Sequence, residues 1–245
     1  MGLSLHHIDI QWNLRVFILN LTAYSFENQT SAMVRRFVDE CLAEYELCLM
    51  DNIFVVTDNE NKMKSCFQTA AKRVGCGDHY LNKVMEHAFT GKHGRTPEVS
   101  ALFSSVKTIV VYLRRSHRQS KLSKKVQCYS ETRFSGAFIM LQSFLDVFAE
   151  LAHVLEREHL PLYADIDLAL LQQVVTFMEP FNAVIEELSD SDRPTIHRVI
   201  PLRQYLIECC SPHIDDEPGV DNLKRYLRND DLLQIFLHRE EHTVF

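Results

Sequence analysis

The densest chemistry in this sequence lies between residues 107 and 125. Lys107, Arg114, Arg115, Arg118, Lys121, Lys124 and Lys125 occur there without a single acid, and His117 joins them. Tyr129, Arg133 and Phe134 follow closely. Ammonium and guanidinium groups neutralise phosphates, and an aromatic face stacks on an unpaired base. The grouping therefore predicts contact with a nucleic-acid backbone and an unstacked base. The alternative is a solvated helix end and loop. Charge segregation favours the first: from Asp146 to Asp192 acids crowd the chain, and Arg157 is the sole Lys or Arg opposing them.

Asp58 is the second centre. It ends the run Asn52-Ile-Phe-Val-Val-Thr-Asp58-Asn59-Glu60-Asn61, in which a β-branched apolar stretch gives way abruptly to polar residues. A buried strand delivering a carboxylate to a sheet edge looks like this, and functional groups in open α/β sheets sit just past the carboxyl ends of strands. Such a carboxylate binds Mg²⁺ or Mn²⁺ in phosphoryl-transfer sites, but only when further acids converge on it. Alone, Asp58 reads better as the cap or turn residue before a helix.

The third is Cys76-x-x-His79. The spacing suits two zinc ligands, but a structural zinc site needs four, and no matching pair lies near. We read a buried cysteine and a hydrogen-bonded histidine holding a tight turn, and expect no metal.

These residues need elements to position them. Residues 1–9 and 14–24 read as strands joined by a turn at Gln11–Asn13. A helix is expected over 29–49, with Met33, Val34, Phe37, Cys41, Leu42 and Tyr45 at helical spacing. The Asp58 strand and a helix near 62–72 follow. Beyond about residue 74 the texture is helical throughout: 80–89, 99–113, 138–158, 166–188 interrupted at Pro180, 194–210 and 220–238. The expected organisation is an α/β half, residues 1–74, and an all-helical half, residues 75–245.

The totals set bounds. The chain has 245 residues, 46% of them hydrophobic, enough for a full core. No run of about 18 apolar residues occurs, so no membrane span is expected. The start resembles neither a signal peptide nor a myristoylation site. Seven scattered cysteines suggest a reducing compartment, and a net charge of −7 argues against a uniformly basic coat while allowing a local basic patch.

Several motifs, taken in order, resemble the hAT-superfamily DNA transposases. They are Met1–Asp9 with Trp12 and Leu14-Arg15, then Val56-Thr-Asp-Asn59 with Asn61 and Met63. Cys76-Gly-Asp-His79 with Leu81-Asn82 follows, then Thr132-Arg133-Phe134-Ser135 with Met140-Leu141, and finally Leu188-Ser189 with Arg193-Pro194-Thr195. The resemblance covers nearly the whole chain and implies an α/β + α fold, an incomplete RNase H-like mixed sheet followed by a large all-helical insertion domain. Such enzymes cut and join DNA with three acids and divalent metal. Asp58 matches the second acid. The first lies before the segment resembling Met1–Asp9, and the third, a Glu, follows the insertion; both are expected to be missing here, Glu240 and Glu241 having no supporting context. Mg or Mn would enter only with a complete triad. Family members usually carry Trp where Phe134 stands.

The resemblance therefore implies a transposase-derived nuclear protein that binds DNA or chromatin proteins without strand transfer; a domesticated zinc-finger fusion is one form it would take. An incomplete product of an active transposase and a helical protein-interaction scaffold are the alternatives. A sheet lacking its first strand exposes an edge, so self-association is expected.

Overall fold

The computed structural model describes residues 1–50, 53–68, 72–90, 95–130, 135–190 and 193–229. The chain opens with an antiparallel hairpin, β1 (Gly2–Ile8) and β2 (Leu14–Leu21). Asp9 builds the turn: its carboxylate accepts the backbone N–H groups of Gln11 and Asn13 and the Arg15 guanidinium. Those donors hold the Asp9 carboxyl below its usual value, the Asn13 backbone first. Trp12 completes the reversal at φ 64°, and its side chain is exposed.

Helix α1 (Ser31–Ala43) starts where the Thr30 hydroxyl accepts the Met33 N–H. It buries Val34, Phe37, Val38, Cys41 and Leu42 along one stripe. Strand β3 (Phe54–Thr57) follows, then α2 (Asn61–Cys66) and β4 (Lys72–Gly75), which pairs in parallel with β3 so that Val56 faces Val74. The expected helix over 62–72 thus stops early, and a strand stands where none was expected. Lys72-Arg73-Val74-Gly75 carries no strand pattern of its own; pairing with β3 creates it.

Leu3 and Leu19 of the hairpin and Val55 of β3 pack with Val34, Val38 and Leu42 of α1 and Phe67 after α2. The strands form two separate two-stranded sheets, β1–β2 and β3–β4, so no single mixed sheet is formed among the described residues. The molecule is mixed α/β but mostly helical.

The second and larger core runs from Leu81 to Leu227. It is built by α3 (Gly77–Thr90), α4 (Pro97–Arg115), α5 (Gly136–Asp146), α6 (Phe148–Val154), α7 (Leu160–Ala164), α8 (Leu168–Leu188), α9 (Val199–Cys209) and α10 (Pro218–Asn229). The helix expected over 138–158 is in fact two, α5 and α6, bent by 68° at Val147. Val147 leaves helical geometry at ψ 9° and is itself buried. Pro180 has the opposite outcome: α8 runs unbroken through it, with Phe177, Met178 and Phe181 buried around it. Core packing there outweighs the roughly 3 kcal/mol that an interior proline costs a helix. By length and composition α8 could cross a membrane, yet α3, α5, α9 and α10 pack against it and it serves as the central core helix. Gly219 permits one of these contacts, since a Cβ there would lie 2.9 Å from a Leu170 methyl and 3.1 Å from Glu98 Cβ.

Candidate nucleic-acid interface

Helix α4 ends at Arg115, and Ser116 turns the chain into a 3-10 turn over His117–Lys121, its hydroxyl accepting the Arg118 N–H. From Leu122 to Ser130 the backbone is irregular. Two apolar residues anchor it: Leu122 and Val126 are buried in the helical core. The polar residues between and before them make a row of tethers to the acidic helices opposite.

Arg118 donates to the Val154 carbonyl at 3.0 Å and to the Glu156 carboxylate. The Ser123 N–H donates to Glu150 Oε2 at 2.8 Å, and the Ser123 hydroxyl donates to Glu150 Oε1. Lys124 Nζ pairs with Asp146 at 2.8 Å, and the Gln127 N–H donates to the Ser143 hydroxyl at 2.9 Å. Two acids are shifted by these partners. Hydrogen bonds from Ser123 hold Glu150 below its usual value, and those from Lys124 and then Gln142 do the same for Asp146. The bend at Val147 puts Asp146 at the end of one helix and Glu150 in the first turn of the next, so both acids meet the loop.

The seven cations predicted to meet nucleic acid therefore divide. Arg118 and Lys124 are tied to acids of the same chain. Lys107, Arg114, Arg115, Lys121 and Lys125 are exposed, as is Lys124 despite its pairing. Of these, Arg114, Arg115, Lys121 and Lys125 make no ion pair among the described residues, while Lys107 Nζ lies 5.0 Å from the Tyr129 ring centre. Tyr129 in turn meets Phe103 edge-on at 5.1 Å. Sequence separations of 38 and 22 residues hid the Arg118–Glu156 and Lys124–Asp146 pairings from a reading of local pattern. Arg133 and Phe134 lie outside the described residues, as do Glu240 and Glu241.

Asp58 sits immediately after β3, half-buried. Its Oδ1 accepts the Glu60 N–H at 3.0 Å, a turn that leads the chain into α2. Arg73, from the neighbouring β4, spans this corner. Its guanidinium donates to the Asp58 carbonyl at 2.5 Å, to Thr57 Oγ1 at 2.9 Å and to Asn59 Oδ1 at 3.2 Å. Asn59 reaches on to the Cys76 carbonyl, and the Cys76 N–H donates to the Thr57 carbonyl at 2.7 Å. Gly75 makes room: a Cβ there would fall 2.1 Å from Asn59 Oδ1. No group of three or more His, Cys, Asp or Glu able to hold a metal occurs among the described residues.

The Cys76-x-x-His79 passage opens α3. Cys76 is half-buried and His79 is exposed, unlike the buried cysteine expected. The turn is held by Asn59 and the backbone. The buried member is Asp78, whose Oδ2 accepts the Ser189 hydroxyl at 2.9 Å and whose Oδ1 is enclosed without a partner. Asp78 thereby ties the start of α3 to the end of α8. In the sequence it stood only inside the Cys76-Gly-Asp-His79 passage, an acid in the first turn of a helix, which gives no hint of burial.

No family model matches the chain. It is 26% identical over 230 residues to the transposable element Hobo transposase of Drosophila melanogaster, an alignment that covers 94% of this chain. The chain spans about a third of that relative's length, 34%. A similarity reaching across nearly all of this chain supports a relationship to the hAT-like transposases.

Proposed function

We propose that this chain is a transposase-derived, nuclear DNA-binding element in which residues 107–125 grip the phosphate backbone, and that it carries out no strand transfer itself. The observation that supports this reading most directly is the outward set Lys107, Arg114, Arg115, Lys121 and Lys125. Lys107, Arg114 and Arg115 belong to helix α4, and Lys121 and Lys125 lie along a loop fixed by Arg118, Ser123, Lys124 and Gln127. A loop backbone already held in place costs less to order when its lysines meet phosphates. The pairings of Arg118 and Lys124 with acids of the same chain are what a purely protein-binding scaffold would have; the exposed set without ion pairs favours DNA over that alternative.

Asp58 enters this reading as a corner residue. Its carboxylate serves the turn into α2, and we infer no bound Mg or Mn and no DNA cleavage by this chain. Chromatin proteins are a further class of partner. Self-association is also proposed, through the unpaired strand edges and the apolar face beside them.

The test is DNA retention by the wild-type chain and by a variant with Arg114, Arg115, Lys121 and Lys125 changed to Gln. Removing four cations that each neutralise a phosphate should flatten the slope of log affinity against log salt by about four. Affinity should fall about equally for unrelated sequences. Unchanged affinity would sink the reading. Asp58→Ala should leave DNA retention as it was, and metal-dependent cleavage abolished by that substitution would overturn the non-catalytic part.

A further inference from the structure

We propose that Ser123 is a phosphorylation site, and that its modification releases the basic loop from the acidic helices and withdraws its cations from DNA. The inference rests on the DNA-binding reading above for its second half only.

Four observations converge on Ser123. It is exposed, and it lies in the irregular, bent stretch that follows the 3-10 turn, outside any helix or strand. Lys124 and Lys125 follow it directly and Lys121 precedes it by two residues, so the segment offers a serine in a strongly basic setting. Its hydroxyl and its backbone N–H both bind one carboxylate, Glu150. Asp146, holding Lys124, faces the adjoining residue of the loop. Ser120, the neighbouring candidate, differs: its hydroxyl bonds to the His117 carbonyl within its own turn, and among the described residues it makes no hydrogen bond to an acid.

The chemistry is group transfer from a nucleoside triphosphate. Ser123 Oγ attacks the γ-phosphorus and an Oγ–P bond forms. The bond from that phosphorus to the bridging β,γ oxygen breaks, and a nucleoside diphosphate leaves with the electron pair. The hydroxyl proton goes to the kinase's base. The product places about two negative charges where a neutral donor had bonded to Glu150. Donor becomes acceptor, so that bond is broken and like charges meet. Lys124 then has a stronger anion at hand than Asp146, and Lys121 and Lys125 lie beside it. Through repulsion of Glu150 and capture of these lysines, the modification opens the clasp and cancels the charge that faces DNA.

The full chain should be treated with ATP, Mg²⁺ and a serine kinase that selects lysine at both positions following the serine, as at Ser123-Lys124-Lys125. The site would be mapped by peptide mass, the loop followed by amide hydrogen exchange, and DNA affinity measured at low salt. One phosphoryl group is expected on Ser123 and none on a Ser123→Ala chain. Exchange protection should disappear across 117–127, and DNA affinity should fall about tenfold. Glu150→Ala, which removes the acceptor of both Ser123 bonds without adding negative charge, should loosen the same segment and change affinity much less. Phosphate on Ser120 with Ser123 unmodified would overturn the proposal, as would phosphoserine at 123 with exchange and affinity both unchanged. If the unmodified chain retains no DNA while modification still loosens 117–127, the DNA reading fails and the switch in the loop stands.

Discussion

At the start of α3, Asp78 keeps a carboxyl group out of water with only one of its oxygens bonded. Burial raises it above its usual value of 3.8, and the Ser189 hydroxyl opposes that only in part. The sign of the consequence follows. As pH rises through the ordinary carboxylate value, the unfolded chain ionises at Asp78 before the folded chain does. Stability from this group is greatest below 3.8, declines as pH climbs to the raised folded value, and stays lower above it. Asp78→Asn keeps an acceptor for Ser189 and removes the charge. It should melt higher than the parent at neutral pH, with the difference closing near about pH 4. Thermal melts at the two pH values check this; a variant that melts lower at neutral pH would show that the ionised form is wanted there.

Among the elements, α8 has the sharpest conflict between local and tertiary demands. Pro180 lacks the N–H that an interior helical residue donates, yet the helix continues for two further turns to Leu188. The packing of Phe181, Val184 and Ile185, all buried, holds that last segment in line. Replacing the proline restores a donor while leaving that packing alone. Pro180→Ala should therefore stabilise the chain by about 1–3 kcal/mol, read as a higher urea midpoint with an unchanged slope. A lower midpoint would mean that the pyrrolidine ring's own packing exceeds the cost of the missing bond. The α5–α6 bend makes the complementary point: there the element yields. Buried Val147 ends one helix and starts the next, and the break brings Asp146 and Glu150 to the basic loop.

On the scale of the whole molecule, the two cores are unequally covered. The helical core encloses α8 on several sides, whereas the hairpin and β3 are covered on one face alone. Leu3, Leu19 and Val55 turn toward α1, and the pleat sends the alternate residues away from it. Val16, Ile18, Phe54 and Val56 are consequently exposed, Ile18 by 71%. Across the hairpin, the partners on this face are Ser4 with Ile18, His6 with Val16 and Ile8 with Leu14, with no Lys, Arg, Asp or Glu among them. Two copies can bring such faces together without like-charge repulsion, and unpaired strand edges lie beside them. Sedimentation velocity should show concentration-dependent association that Val16→Thr with Ile18→Thr reduces. A single monomeric species at every concentration would count against self-association by this face.

The sequence alone determined the hairpin, the Asp58 strand and the helical character of the second half, because these follow from periodicity and turn chemistry within short windows. It also determined that residues 107–125 concentrate positive charge. Contacts distant in the chain decided the rest. Strand β4 exists because β3 supplies its hydrogen-bond partners. Asp78 is buried because α8 returns to it after more than a hundred residues. Arg118 and Lys124 are paired because the chain folds back to bring Glu156 and Asp146 to them. The cations without ion pairs share the composition of the paired ones, and neither residue type nor spacing separates the two sets. Only the tertiary structure does, since a charge is available to a partner only when its own fold has left it unpaired.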